Sequence, residues 1–87
     1  MNTDDVAKVM RLLTIPGAHD GRNGEIRVDL KRWRGRESLD VRWWAARAGE
    51  HRATMRGASI PLHCLEAFAA AVLEAVRRVK AGGWPTP

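Results

Sequence analysis

The fold of this chain is decided by residues 25–44, which read EIRVDLKRWRGRESLDVRWW. Apolar residues alternate with charged or polar ones on both sides of Gly35, which is the period-two pattern of half-buried strands. The first run should extend to about Arg34, and Gly35-Arg36 supplies a tight turn before the second run. Two such strands joined by a short glycine turn predict an antiparallel hairpin.

Two further elements are expected after the hairpin. Residues 52–59 predict a third strand, the weakest in apolar content because Gly57 thins it. Residues 61–80 predict a helix that ends at Gly82-Gly83, and residues 81–87 should form a mobile tail carrying Trp84. The helix is indicated by apolar residues recurring every three or four positions, namely Leu65, Phe68, Ala69, Val72, Val76 and Val79.

The N-terminal segment, residues 6–15, admits two interpretations. Val6, Val9, Met10 and Leu13 are spaced as in a helix, and this periodicity slightly favours a helix. A strand ending before Pro16 would fit the same residues. Residues 16–24 are rich in glycine and predict a loop, so residues 1–24 precede a core formed by residues 25–80.

The alternation predicts one apolar and one basic sheet face. The apolar face should be covered by the helix, since the sequence offers no other apolar element to cover it. It consists of Ile26, Val28, Leu30, Leu39, Val41, Trp43 and Met55. The opposite face should carry cations and two tryptophans, namely Arg27, Lys31, Trp33, Arg36, Arg42, Trp44, Arg52 and Arg56.

The charge and aromatic content of the chain indicate what the basic face could bind. The chain has 87 residues, enough for one small domain, and a net charge of +5. Residues 25–57 hold nine cations and five anions, so they supply +4 of that charge. Guanidinium groups beside exposed indole rings fit single-stranded nucleic acid, whose phosphates and unstacked bases they would bind. The alternative is that Trp33 and Trp44 pack on each other or under a partner subunit.

The hairpin and the residues after it resemble a known family. Trp33-Arg34-Gly35 forms an aromatic-x-Gly turn, Leu39-Asp40-Val41-Arg42 precedes the aromatics Trp43-Trp44, and Arg56-Gly57-Ala58-Ser59 leads into one helix. In this order and spacing they resemble the single-stranded-DNA-binding domain of the positive cofactor four family of transcriptional coactivators, including its short bacterial members. The resemblance covers roughly residues 25–80.

The resemblance implies an α+β fold, a four-stranded antiparallel sheet followed by one C-terminal helix, assembled as a homodimer. It therefore implies that residues 6–15 form a strand, and we adopt that expectation over the helical periodicity. By similarity, Lys31, Trp33 and Arg36 match basic and stacking positions of the first hairpin. Arg42, Arg52 and Arg56 match later basic positions, whereas the spacing of Trp44 varies within the family.

Other chemistry is not indicated. His19, His51, His63 and Cys64 lack the spacing of a zinc site, and no catalytic or cofactor-binding motif is present, so we expect neither an enzyme nor a cofactor. Asp29 and Asp40 should order the arginines of the basic face.

The acidic N-terminus and the lack of a long apolar run predict a cytoplasmic, nucleoid-associated protein without a membrane partner. Besides single-stranded DNA, two alternatives remain open: RNA binding through the same face, and a protein-interaction adaptor.

Overall fold

A computed structural model describes residues 7–17 and 23–82 and shows an α+β fold. One antiparallel sheet contains β1 (Lys8–Pro16), β2 (Gly24–Trp33), β3 (Arg36–Arg47) and β4 (Glu50–Pro61) in the order β1-β2-β3-β4. A 3-10 turn (Leu62–Cys64) then leads into the helix α1 (Leu65–Lys80). This confirms the predicted sheet followed by one helix. Trp84 and the rest of the predicted tail after Gly82 lie outside the described residues.

The segment with helical periodicity is a strand, as the family resemblance implied. β1 pairs with β2, with Met10 opposite Leu30 and Leu13 opposite Val28. An irregularity at Leu12 inserts one extra residue between these two pairs. The insertion puts Met10 and Leu13, three positions apart, on the same sheet face. The helical interpretation of residues 6–15 was therefore wrong from Lys8 onward, because a bulge imitates a helical spacing, while Val6 lies outside the described residues.

The register of β2 against β3 places their apolar residues opposite each other and so forms the apolar sheet face. Ile26 lies opposite Trp43, and Leu30 lies opposite Leu39. Leu39 and Trp43 are the buried apolar side chains of the described residues, each 8% exposed. Gly24 permits the Trp43 ring to lie close, since a Cβ on Gly24 would stand 2.4 Å from Cζ2 of that ring. The core is therefore thin and centred on β3.

The helix does not cover this face, contrary to the expectation from the sequence. α1 makes its main contacts with the 3-10 turn and the end of β4, and none of its residues is buried. Its apolar stripe is instead exposed, as at Val72 (47%) and Val76 (44%). The radius of gyration is 15.8 Å, whereas a compact domain of this length has about 12 Å. The helix and the apolar sheet face thus both remain open in a single copy.

Candidate nucleic-acid interface

The face opposite the apolar one is defined by side chains that the register of β1, β2 and β3 places together. We call it the charged face. Arg27 lies opposite Arg42, Asp29 opposite Asp40, and Lys31 opposite Ser38. Its charged and aromatic members are Arg11, Glu25, Arg27, Asp29, Lys31, Trp33, Arg36, Asp40, Arg42 and Trp44.

Two carboxylates lie at the centre of the charged face. Asp29 and Asp40 are cross-strand neighbours, and they are 0% and 1% exposed. Arg11 of β1 forms an ion pair with Asp29, while Lys31 Nζ lies 3.5 Å from Oδ2 of Asp40. Buried carboxylates are costly unless they are paired, so these cations are held in place by the acids beneath them. The expectation that Asp29 and Asp40 order basic side chains is confirmed.

Asp40 is the most connected group on the charged face. Arg42 Nη2 and the Ser59 hydroxyl donate to its Oδ1 at 3.0 and 2.9 Å. Arg42 also donates from Nη1 to the carbonyl oxygen of Thr54 at 2.8 Å, which ties β3 to β4. Burial opposes ionisation of Asp40, but the hydrogen bonds from Arg42 and Ser59 and the charge of Lys31 outweigh it. The pKa of Asp40 is therefore held below its ordinary value.

A second cluster surrounds Trp44. The guanidinium carbon of Arg27 lies 4.2 Å from the centroid of the Trp44 ring, and Arg27 donates to Glu25. This hydrogen bond holds the pKa of Glu25 below its ordinary value, with smaller contributions from the charges of Arg27 and His51. His51 Nε2 lies 3.3 Å from Oε1 of Glu25. Because Arg27 covers one side of the half-buried Trp44 ring, a base could stack on that side only if Arg27 moved.

Trp33 presents a different environment at the tip of the hairpin. Its ring is 52% exposed, and the guanidinium carbon of Arg34 lies 4.7 Å from the ring centroid. Arg34 (φ 51°) and Gly35 (φ 74°) form a two-residue turn of the kind that tolerates positive φ at both positions. Arg36 lies directly opposite Trp33 across the ladder. Arg34 therefore covers one side of the ring, and the remaining exposed aromatic surface lies beside Arg36 at this end of the charged face.

Two predicted site residues lie elsewhere. Arg52 is opposite Ala45, which points to the apolar face, so Arg52 does not share a face with Arg42. Arg56 follows the same alternation from Ala58, which lies opposite Val41, and borders a cavity of about 210 Å³ lined by Ile26, Val41 and Trp43. Their placement on the basic face was wrong.

The cause of this error is the weak pattern of β4. The sequence interpretation placed Met55 on the apolar face, but its side chain is 96% exposed and contributes nothing to the core. Ile60, opposite Leu39, is the residue that sets the face.

The sequence interpretation also missed members of the interface. Arg11 was not assigned because its strand could not be distinguished from a helix, and Arg34 was assigned only to the turn. The register of β1 against β2, which shifts by one residue at Leu12, is what places Arg11 opposite Asp29.

Within the described ranges, no three or more His, Cys, Asp and Glu side chains are grouped to hold a metal ion. His19 lies outside those ranges. In the same part of the chain, no helix is long and apolar enough to cross a membrane.

Comparisons of the chain with protein-family models, with curated proteins and with solved structures give no match. The likeness to the positive cofactor four family therefore rests on the motifs of residues 25–80 alone.

Proposed function

We propose that this chain is a non-catalytic, homodimeric single-stranded-DNA-binding protein of the positive cofactor four type, acting in transcription or in strand handling in the cytoplasm or nucleoid. The observation that carries the proposal is the exposed Trp33 ring, with Lys31 and Arg36 on the same face and Arg34 against the ring. Bases stack on such rings with little regard to sequence, and phosphates are bound by the neighbouring cations.

The members of the charged face have different roles in this proposal. Trp33, Arg34 and Arg36 form the direct binding surface at the hairpin tip. Arg27, Lys31 and Arg42 form ion pairs with Glu25 and Asp40, which compensate much of their charge and hold their side chains against the face. Trp44 supplies a second stacking surface if Arg27 moves off its ring to bind a phosphate.

Dimerisation is a separate part of the proposal. The helix exposes a stripe that includes Phe68, Val72 and Val76, while one sheet face remains uncovered. Contiguous exposed apolar surface is usually covered by a partner, and a second copy supplies both the complementary helix and the complementary face. The same exposed stripe favours a second candidate function, an adaptor that binds another protein through α1.

A titration of a fluorescein-labelled 20-nucleotide oligo(dT) at 50 and 200 mM salt tests the function. We expect binding that weakens with salt, with a logarithmic slope of about −2 per chain if three phosphates are neutralised. Unlabelled RNA and duplex DNA of matched length serve as competitors. Preferred competition by RNA would reassign the ligand, and absence of binding with an intact fold would favour the adaptor.

A further inference from the structure

A cleft next to the hairpin tip contains Arg36 of the proposed binding surface and further polar groups that the proposed function does not use. Its volume is about 550 Å³, and it lies between the start of β3 and the junction of β4 with the 3-10 turn. Arg36, Ser38, Ser59 and His63 line it. The ladder pairs Trp33 with Arg36 and Lys31 with Ser38, so the cleft continues from the exposed tryptophan on the same face.

The groups in the cleft are suited to an anion. Among the described residues, Arg36 makes no ion pair and the Ser38 hydroxyl has no hydrogen-bond partner, so both are available as donors. The imidazole of His63 adds a third polar group from the 3-10 turn. The Ser59 hydroxyl already donates its hydrogen bond to Asp40, so Ser59 lines the cleft but is not a donor to a ligand there.

The acids near the cleft do not oppose an anion. Glu37 also borders it, but its Oε2 lies 3.3 Å from Nη2 of Arg32, and the alternation of β3 directs it to the apolar face. Asp40, which accepts a hydrogen bond from the Ser59 hydroxyl, is matched by two cations, Lys31 and Arg42. The local charge is therefore positive, and among the described residues around the cleft Arg36 has no ion-pair partner.

We infer that this cleft binds one phosphate group of a nucleic-acid strand whose neighbouring base stacks on Trp33. The guanidinium of Arg36 makes the charged contact, and Ser38 and His63 supply further hydrogen bonds. The phosphate is either a terminal monoester or an internal diester, since both present the same oxygens. The inference rests on the proposed function, of which it names the phosphate subsite.

The test compares two substitutions at opposite ends of one strand. Arg36 and Arg47 are the first and last residues of β3, and both are exposed. The substitutions Arg36→Gln and Arg47→Gln each remove one positive charge from the chain. We expect Arg36→Gln to weaken oligo(dT) binding about ten-fold or more at constant salt, and Arg47→Gln to change it less than about two-fold. Equal losses would overturn the subsite, because they would show a general effect of charge while the proposed function stands.

Two further arms complete the design. Oligonucleotides with a 5′-phosphate, a 3′-phosphate or neither are compared. A higher affinity for a phosphorylated end that Arg36→Gln abolishes identifies a terminal phosphate as the ligand. Equal affinities for the three oligonucleotides identify an internal phosphate. If the wild-type chain binds no oligonucleotide, the proposed function fails. The subsite is then decided by adding thymidine 3′,5′-bisphosphate to ¹⁵N-labelled protein. Shifts of the Ser38 and His63 amides that are lost in Arg36→Gln support the subsite, and their absence overturns it.

Discussion

At the scale of single residues, the charged face is organised by its acids as much as by its cations. Asp40 is almost fully buried and binds Lys31, Arg42 and Ser59. A basic surface built in this way is preorganised, because the long side chains are held before a ligand arrives. The cost is that much of the positive charge is compensated within the chain. For this reason the proposed function places the direct contacts with a ligand at the hairpin tip.

Asp40→Asn should destabilise the fold, because the buried carboxylate is the acceptor for cations on both β2 and β3. We expect the free energy of unfolding to fall by about 3 kcal/mol, measured by urea denaturation. Glu37→Gln is the matched control: its ion pair with Arg32 is exposed on both sides, so its loss should cost below about 1 kcal/mol. Equal stabilities of Asp40→Asn and wild type would refute a structural role for this carboxylate.

The lowered pKa of Asp40 predicts that the stability of the fold decreases at low pH. Its folded-state pKa lies below the unfolded value, so the stabilisation is complete above the unfolded pKa and is lost as the pH falls through the folded one. The midpoint of thermal unfolding should therefore begin to fall below about pH 5, and it should fall less steeply with decreasing pH in Asp40→Asn. Glu25 adds to the wild-type decline with the same sign. Identical profiles for both proteins would contradict the assignment to Asp40.

At the scale of elements, the hairpin was predictable and its neighbours less so. β2 and β3 have strict alternation and a glycine turn, so their pairing and faces follow from residues 25–44. β1 was obscured by the bulge at Leu12, and β4 by a sequence whose apolar residues do not mark its face. Alternation is a local signal, whereas register is fixed by partners distant in sequence. That difference explains why Arg42 was placed correctly and Arg52 was not.

Gly24→Ala tests the contact that seats β2 against β3. The new methyl group would lie 2.4 Å from Cζ2 of Trp43 and 2.5 Å from the carbonyl oxygen of Trp44, and neither can move without disturbing the sheet. We expect a loss of about 1–3 kcal/mol in urea denaturation, with a changed tryptophan emission. Asn23→Ala, an exposed neighbouring substitution, should be nearly neutral. A Gly24→Ala protein as stable as Asn23→Ala would show that the packing of Trp43 is different.

At the scale of the whole molecule, the open helix and the open apolar face could not be foreseen from amphipathicity. The stripe on α1 was recognised, but periodicity does not reveal whether its partner is the same chain or another one. A helix without buried residues gains little from tertiary packing, which is the main source of helix stability in proteins. Association of two copies would bury both surfaces together.

Val72→Glu tests the proposed dimer. A charge in the apolar stripe should convert a dimer to a monomer in sedimentation velocity at micromolar concentration, because an unpaired carboxylate cannot be buried cheaply. Ala70→Glu places the same charge on the opposite side of α1, since two residues span about 200° of helix, and should leave the dimer intact. A monomeric wild-type chain, or equal behaviour of both variants, would exclude association through this stripe.

The most direct test of the central claim is the affinity of Trp33→Ala for 20-nucleotide oligo(dT) beside that of the wild type. Because Trp33 is half-exposed at the hairpin tip, its removal should leave the thermal unfolding midpoint nearly unchanged. Loss of one base stack, worth about 1–3 kcal/mol, should raise the dissociation constant about 5- to 150-fold. A folded Trp33→Ala protein that binds oligo(dT) as tightly as the wild type would contradict the claim that the tip of the charged face binds single-stranded DNA.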